Sequence, residues 1–258
     1  MASYSQAKHF VMKRSLFIVA LTILSTLKSE GQQVTSTDGL LKEMHARYHG
    51  KFYKHITFVQ LNKFFKDGTQ TESSIWYEAF EYPGKLRVDY GPTVGKDGFI
   101  FLNDSVYYFK EGKLDRKEKK INETMLLQGD IYCIPIPTVI EKLKALGYDI
   151  SKFREDKWNN KPIYVVGADK GDETTRQFWI DKEYLYMVRQ IINDNGAIQE
   201  IHFTEHAAKG KFYIEDEVRI MENSKVVRTE RYAEVNHDIT LRDAIFDPKE
   251  WGKSHWKK

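Results

Sequence analysis

Residues 76–109, WYEAFEYPGKLRVDYGPTVGKDGFIFLNDSVYYF, decide the fold of this chain. They form consecutive antiparallel strands, punctuated by Pro83-Gly84 and Asn103-Asp104. After Pro83-Gly84, Leu86, Val88 and Tyr90 fall on one face and Lys85, Arg87 and Asp89 on the other. The preceding strand is apolar on both sides, with Trp76, Phe80 and Tyr82 facing one way and Ile75, Tyr77 and Ala79 the other. Such a strand needs cover on both faces, or a cavity on one of them.

Outward from this stretch the pattern stays β-rich. Strands are predicted over 56–65, 72–82, 162–168, 174–181, 184–192, 197–206, 212–222 and 225–236, with turns at Asp67-Gly68, Glu111-Gly112, Lys170-Gly171-Asp172, Asn195-Gly196 and Glu222-Asn223-Ser224. The strand over 212–222 alternates Phe212, Ile214, Val218 and Ile220 against Tyr213, Glu215, Glu217 and Arg219, which predicts one wet face. Two helices are predicted. The first covers 38–49, with Leu40, Leu41, Met44 and Tyr48 on one side and Gly50 as the stop. The second follows Pro135 and Pro137, with Thr138-x-x-Glu141 in the form of a capping box and Gly147 at its end.

The N-terminus has the three parts of a secretory leader: basic Lys13-Arg14, an apolar run from Leu16 to Leu27, and small residues before a cut near Gly31/Gln32. That run is shorter than the roughly 20 residues needed to cross a bilayer. The expected organisation is a signal peptide over 1–31, removed, and a single domain over 32–258. Removal takes Lys8, Lys13, Arg14, Lys28 and Glu30, which turns the formal charge of +3 into zero. A neutral mature chain gives no footing for nucleic-acid binding. The one cysteine, Cys133, offers neither a lipid anchor at the cleavage site nor an internal disulfide, so an untethered, soluble product held together by burial is expected.

Motifs for catalysis are missing: there is no G-x-S-x-G, H-E-x-x-H, P-loop or G-x-G-x-x-G. His45 and His49 lack a third ligand at suitable spacing, and His202 and His206 sit about 13 Å apart on a strand, so no metal or other cofactor is expected. Glu215 and Glu217 alternate on the predicted wet face and are expected to be solvated. What remains is an aromatic surplus of 15 Tyr, 15 Phe and 5 Trp. It fits a well-filled β core, or an apolar pocket between a curved sheet and its helices, and composition leaves both open.

The order of motifs resembles the bacterial LolA-like family of outer-membrane lipoprotein carriers and related lipid-binding proteins. After the leader come the opening-helix residues Leu40-Leu41-Lys42-Glu43-Met44, then Phe58-Val59-Gln60 and Pro83-Gly84-Lys85-Leu86-Arg87. Asn103-Asp104 with its aromatic strand, and Phe178-Trp179-Ile180-Asp181 followed by Val188-Arg189, complete the series. Tyr82 stands where the best-known carriers have an arginine. The resemblance implies a mainly β (α+β) fold, a curved and incompletely closed antiparallel barrel whose concavity is covered by helices. It also implies a non-enzymatic periplasmic carrier that shuttles acyl chains of lipoproteins or lipids between membrane-bound donor and acceptor proteins. The expected binding residues are Trp76, Phe80, Tyr82, Leu86, Val88, Tyr90, Phe101, Tyr107 and Phe109 from the sheet, with Val139, Ile140, Leu143 and Leu146 as the lid. The carrier is expected to be a monomer. Alternatives are a lipid sensor or protein-interaction module, to which an exposed Trp251 and Trp256 tail would suit, and a hydrolase with an unrecognised site.

Overall fold

The computed structural model describes residues 33–257 except 210, 211 and 238. The leader expected over 1–31 lies outside the described residues. Helix α1 (Thr37–Tyr48) starts at Ser36, whose side chain accepts from the Gly39 amide at 3.1 Å. Its Leu40, Leu41 and Met44 are buried.

The chain then runs up and down through β1 (His55–Lys66), β2 (Thr69–Glu81), β3 (Lys85–Tyr90), β4 (Asp97–Leu102), β5 (Ser105–Lys110) and β6 (Lys113–Lys119). A second meander contains β7 (Phe153–Trp158), β8 (Lys161–Val166), β9 (Gln177–Asp181), β10 (Met187–Asp194), β11 (Ala197–Thr204), β14 (Glu217–Glu222) and β15 (Lys225–Asn236). Between β11 and β14, β12 (Ala207–Lys209) and β13 (Phe212–Ile214) pair as a separate small hairpin.

Pairing of β1 with β15 joins the two meanders into one 13-stranded antiparallel sheet, in the order β6-β5-β4-β3-β2-β1-β15-β14-β11-β10-β9-β8-β7. The ends, β6 and β7, do not pair, so the curved sheet remains an open barrel. Edge strand β6 is exposed throughout and carries Lys113, Arg116, Lys117 and Lys119, which discourage another strand from adding there.

The connection from β6 to β7 runs through the concavity. Within it lie α2 (Glu123–Met125), a π-helical turn over Leu126–Asp130, α3 (Ile131–Cys133) and α4 (Ile136–Ala145). Asn122 caps the first of these by accepting from the Met125 amide at 3.0 Å. The capping box predicted at Thr138 does not form. Pro135 is the N-cap and Pro137 sits in the first turn, so the helix begins two residues before Thr138.

Two apolar clusters fill the inner side. One packs α1, Leu126, Leu127, Ile131, Tyr132, Val139 and Leu143 against β8 to β11 and β14. The other joins Ile56, Phe58, Phe80, Leu86, Val88, Phe101 and Val106 with Met125 and Ile214. Val34–Lys258 form one compact unit.

The outer side of β2 to β5 is covered by the C-terminal segment. Ala79 packs on Leu241, Ile245 and Phe246, while Ile100 and Phe109 pack on Trp251. The Phe109 and Trp251 rings stack at 4.2 Å. Trp251 is buried and Trp256 is half-buried against Tyr77, so the tail is a packed strap and not the exposed aromatic surface that the interaction-module alternative would use. Beneath it, Arg87 and Asp89 are fully buried although their alternation marked a polar face.

Candidate functional site

Under the helical connection, the inner face encloses a hollow of about 250 Å³. Phe58 and Gln60 from β1, Trp76, Glu78 and Phe80 from β2, Leu86 and Val88 from β3, and Tyr82 before it form one wall. Ile201, Phe203, Val218, Ile220, Arg228, Glu230 and Tyr232 form the facing wall. The cover consists of Tyr48, Phe52, Met125, Gln128 and Tyr132, together with Phe212, Tyr213, Ile214 and Glu215 of the hairpin segment. Phe52 lies within 5.3 Å, centroid to centroid, of Tyr82, Tyr132 and Phe212, so the cover is itself an aromatic cluster. Gly129 lets the helical turn rest on the sheet: a Cβ there would meet the Tyr82 ring at 2.0 Å. A second hollow of about 650 Å³ adjoins the first and shares Phe99, Asn122 and Thr124 with it.

Of the residues singled out from sequence, Trp76, Phe80, Tyr82, Leu86 and Val88 line the main hollow. Tyr90 packs behind Trp76, 4.7 Å between ring centroids, and Phe101 borders the second hollow. Tyr107 and Phe109 are on the opposite, outer face. The turn at Asn103-Asp104 pairs Phe101 with Val106 and Phe99 with Tyr108, and directly paired residues share a face. Phe101 therefore cannot share its side with Tyr107 and Phe109.

The lid assignment for α4 also changes. Val139 and Leu143 are sealed in the cluster beside β8 to β11, Ile140 packs at its margin, and Leu146 borders only the second hollow. The main cover comes instead from the end of α1, residues 122–132 and the hairpin segment.

The polar groups in the hollow escaped the sequence reading. Glu78 alternates in phase with Trp76 and Phe80, and that phase was the available signal. Burial raises its carboxyl well above the ordinary range, and the neighbouring Glu230 adds to this. Glu230 is itself raised by burial, against the opposing pull of Arg228, whose guanidinium pairs with it at 2.7 Å.

Glu215, expected to be solvated, accepts from Gln128 Nε2 at 2.6 Å, and burial pushes its carboxyl up to about 7. The strand predicted over 212–222 breaks after Ile214, so Ile214 and Glu215 both turn inward. Glu217 resumes the alternation on the other side, between Arg219 at 2.5 Å and Arg231 at 2.6 Å. His206, stacked on Tyr186 at 3.8 Å, is lowered to about 4 by burial and faces the hollow uncharged at neutral pH. Among the described residues, no group of three His, Cys, Asp or Glu side chains converges closely enough to hold a metal ion.

Solved structures share the fold of this bent antiparallel sheet and its helical cover. A domain from Vibrio parahaemolyticus assigned to outer membrane lipoprotein sorting superposes with a TM-score of 0.57 at 12% identity, covering 83% of this chain and 97% of that one. A LolA superfamily protein from Nitrosomonas europaea gives 0.53 at 11% identity, covering 83% and 99%. A DUF1329 family protein from Desulfovibrio piger gives 0.53 at 12% identity, covering 83% and 97%. The fold is therefore LolA-like. No protein-family model and no curated protein matches the chain in sequence.

Proposed function

We propose that this protein is a soluble periplasmic carrier, exported by its leader, that binds acyl chains of lipoproteins or lipids and shuttles them across the envelope. The observation that carries this reading is the apolar hollow of about 250 Å³, roofed by aromatics from α1, the segment after it, the helical connection and the small hairpin rather than from the main sheet. Each acyl CH₂ moved into such a space contributes about 0.8 kcal/mol, so a chain can be held without any covalent step. Phe52, Tyr132 and Phe212 meet edge to edge or tilted, and their separation would admit a chain. Release then needs a receiver, membrane-bound in this reading, with the greater affinity. The partners are a lipid or lipidated protein and membrane-bound donor and acceptor proteins, and the carrier works as a monomer.

Two measurements on the purified protein test this. Organic extraction followed by mass spectrometry should release an acyl lipid. A fluorescent fatty-acyl probe should bind, and Val88→Trp, which fills the hollow from β3, should weaken it at least tenfold while the protein still melts cooperatively. A protein that yields no lipid and binds no probe overturns the proposal.

A further inference from the structure

Three carboxyl groups face one hydrophobic hollow, and a single guanidinium answers them. Arg228 is engaged with Glu230 at 2.7 Å and Glu215 accepts from Gln128 at 2.6 Å, which leaves Glu78 without an ion pair of its own. Glu78 is the informative one. It is only 7% exposed, and among the described residues no hydrogen bond or ion pair reaches its carboxyl. Its oxygens open onto the hollow rather than being sealed in the core, and a carboxyl without a partner in such apolar surroundings is costly to the fold. Such a group calls for a specific role, and completion by a bound molecule is one.

The surroundings narrow what that something is. Residues Trp76, Phe80 and Tyr82 flank Glu78 along the same face of the chain, and Phe58 is its direct cross-strand partner. Phe58 in turn stacks on Tyr232 at 4.3 Å, and Arg228 already lies 5.0 Å from the Trp76 ring centroid. Aromatic faces attract organic cations through the ring quadrupole, and an arriving ammonium would drive the Glu78 proton off to solvent and gain the carboxylate as its counter-charge. The acids do not converge as a metal site would. They are spread over one wall and the cover, as a bulky cation with an apolar tail requires.

We propose that the amphiphile taken up in this hollow carries an alkylammonium head group, seated against Glu78 within the aromatic ring formed by Phe58, Trp76, Phe80 and Tyr232. This rests on the carrier reading and adds the chemical class of the ligand's polar end. The ammonium donates to Glu78, its tail runs along Val88 and Leu86, and Glu215 on the cover supplies a second acceptor.

Competition against the fluorescent acyl probe tests the assignment, using dodecylamine, dodecanol and dodecanoate below their aggregation limits at pH 7.5. Dodecylamine should displace the probe at least tenfold more effectively than dodecanol, with dodecanoate the weakest. Glu78→Gln should reduce the amine-to-alcohol ratio below threefold, and Glu78→Asp, which keeps the carboxyl but withdraws it, should leave an intermediate ratio. Equal displacement by the amine and the alcohol in the unmodified protein overturns the head-group proposal and leaves the carrier reading intact. A ratio unchanged by either substitution also overturns it. If nothing binds, neither the three compounds nor the probe, the carrier reading itself has failed. Should Glu78→Gln not fold, Glu215→Gln provides the second reading of the ratio, expected to fall two- to fivefold.

Discussion

The two faces of β2 and β3 bury charge in opposite ways. On the outer face Arg87 and Asp89 are fully enclosed, and almost every bonding position is used. Arg87 donates to Asp89 at 2.7 and 3.1 Å and to the Ile245 and Ser254 carbonyls at 3.2 and 2.5 Å, with Trp251 4.3 Å from the guanidinium. Asp89 also accepts from the Gly95 amide at 2.6 Å and meets His255 at 3.0 Å. Burial alone would raise the Asp89 carboxyl, but hydrogen bonds from His255 and Arg87 outweigh it and hold it below the usual range. On the inner face Glu78 is nearly as buried and has no such partners. A saturated buried pair holds a strap in place; an unsaturated one beside an empty space points to a ligand.

The largest expected effect breaks the outer face. Arg87→Met leaves Asp89 enclosed without its cation and should lower unfolding free energy by about 3–5 kcal/mol in urea titrations. Trp251→Ala removes the ring that stacks on Phe109 and faces Arg87, and should destabilise by about 3 kcal/mol, with proteolysis beginning in the strap.

The pH dependence separates the faces by sign. Glu215, raised to about 7, holds its proton more tightly in the folded protein than in the unfolded chain. Its stabilisation is complete below about pH 4.5 and is lost as pH rises through about 7, by at most about 3 kcal/mol. Urea midpoints at pH 5 and 8 should differ accordingly, and Glu215→Gln should reduce that difference. Asp89 runs the other way, contributing above the ordinary carboxylate range and failing only as pH falls through its lowered value. The smallest effect sharpens the contrast: Glu78→Gln replaces a carboxyl held neutral by burial with a similar neutral group, and stability should change by under about 1 kcal/mol. A loss as large as that of Arg87→Met would make Glu78 structural.

Much of the sheet is legible along the chain because alternation and turn residues are local. Trp76, Phe80 and Tyr82 show their shared face directly, and Asn103-Asp104 and Asn195-Gly196 mark hairpins. Strand β7 is not legible, since its Arg154, Glu155, Asp156 and Lys157 make a charged edge with no apolar signature. The break after Ile214 hides for the opposite reason: the alternation continues on both sides of it, and only the lining of the hollow shows that Glu215 turns inward. Tyr107 and Phe109 illustrate a third limit. Their alternation is plain, but the face they occupy depends on how β5 pairs with β4.

Period-two patterning, turn chemistry and the two amphipathic helices are enough to specify an antiparallel, sheet-dominated protein with more apolar surface than one thin layer hides. They cannot say which surface is filled. That depends on segments more than a hundred residues away along the chain: the strap from Leu241 to Trp256 fills the outer side of β2 to β5, while the hairpin segment around Ile214 roofs the inner side and leaves a hollow. A side chain's direction follows from its own backbone, but its neighbours follow from the path of the whole chain, and a cavity is made of neighbours.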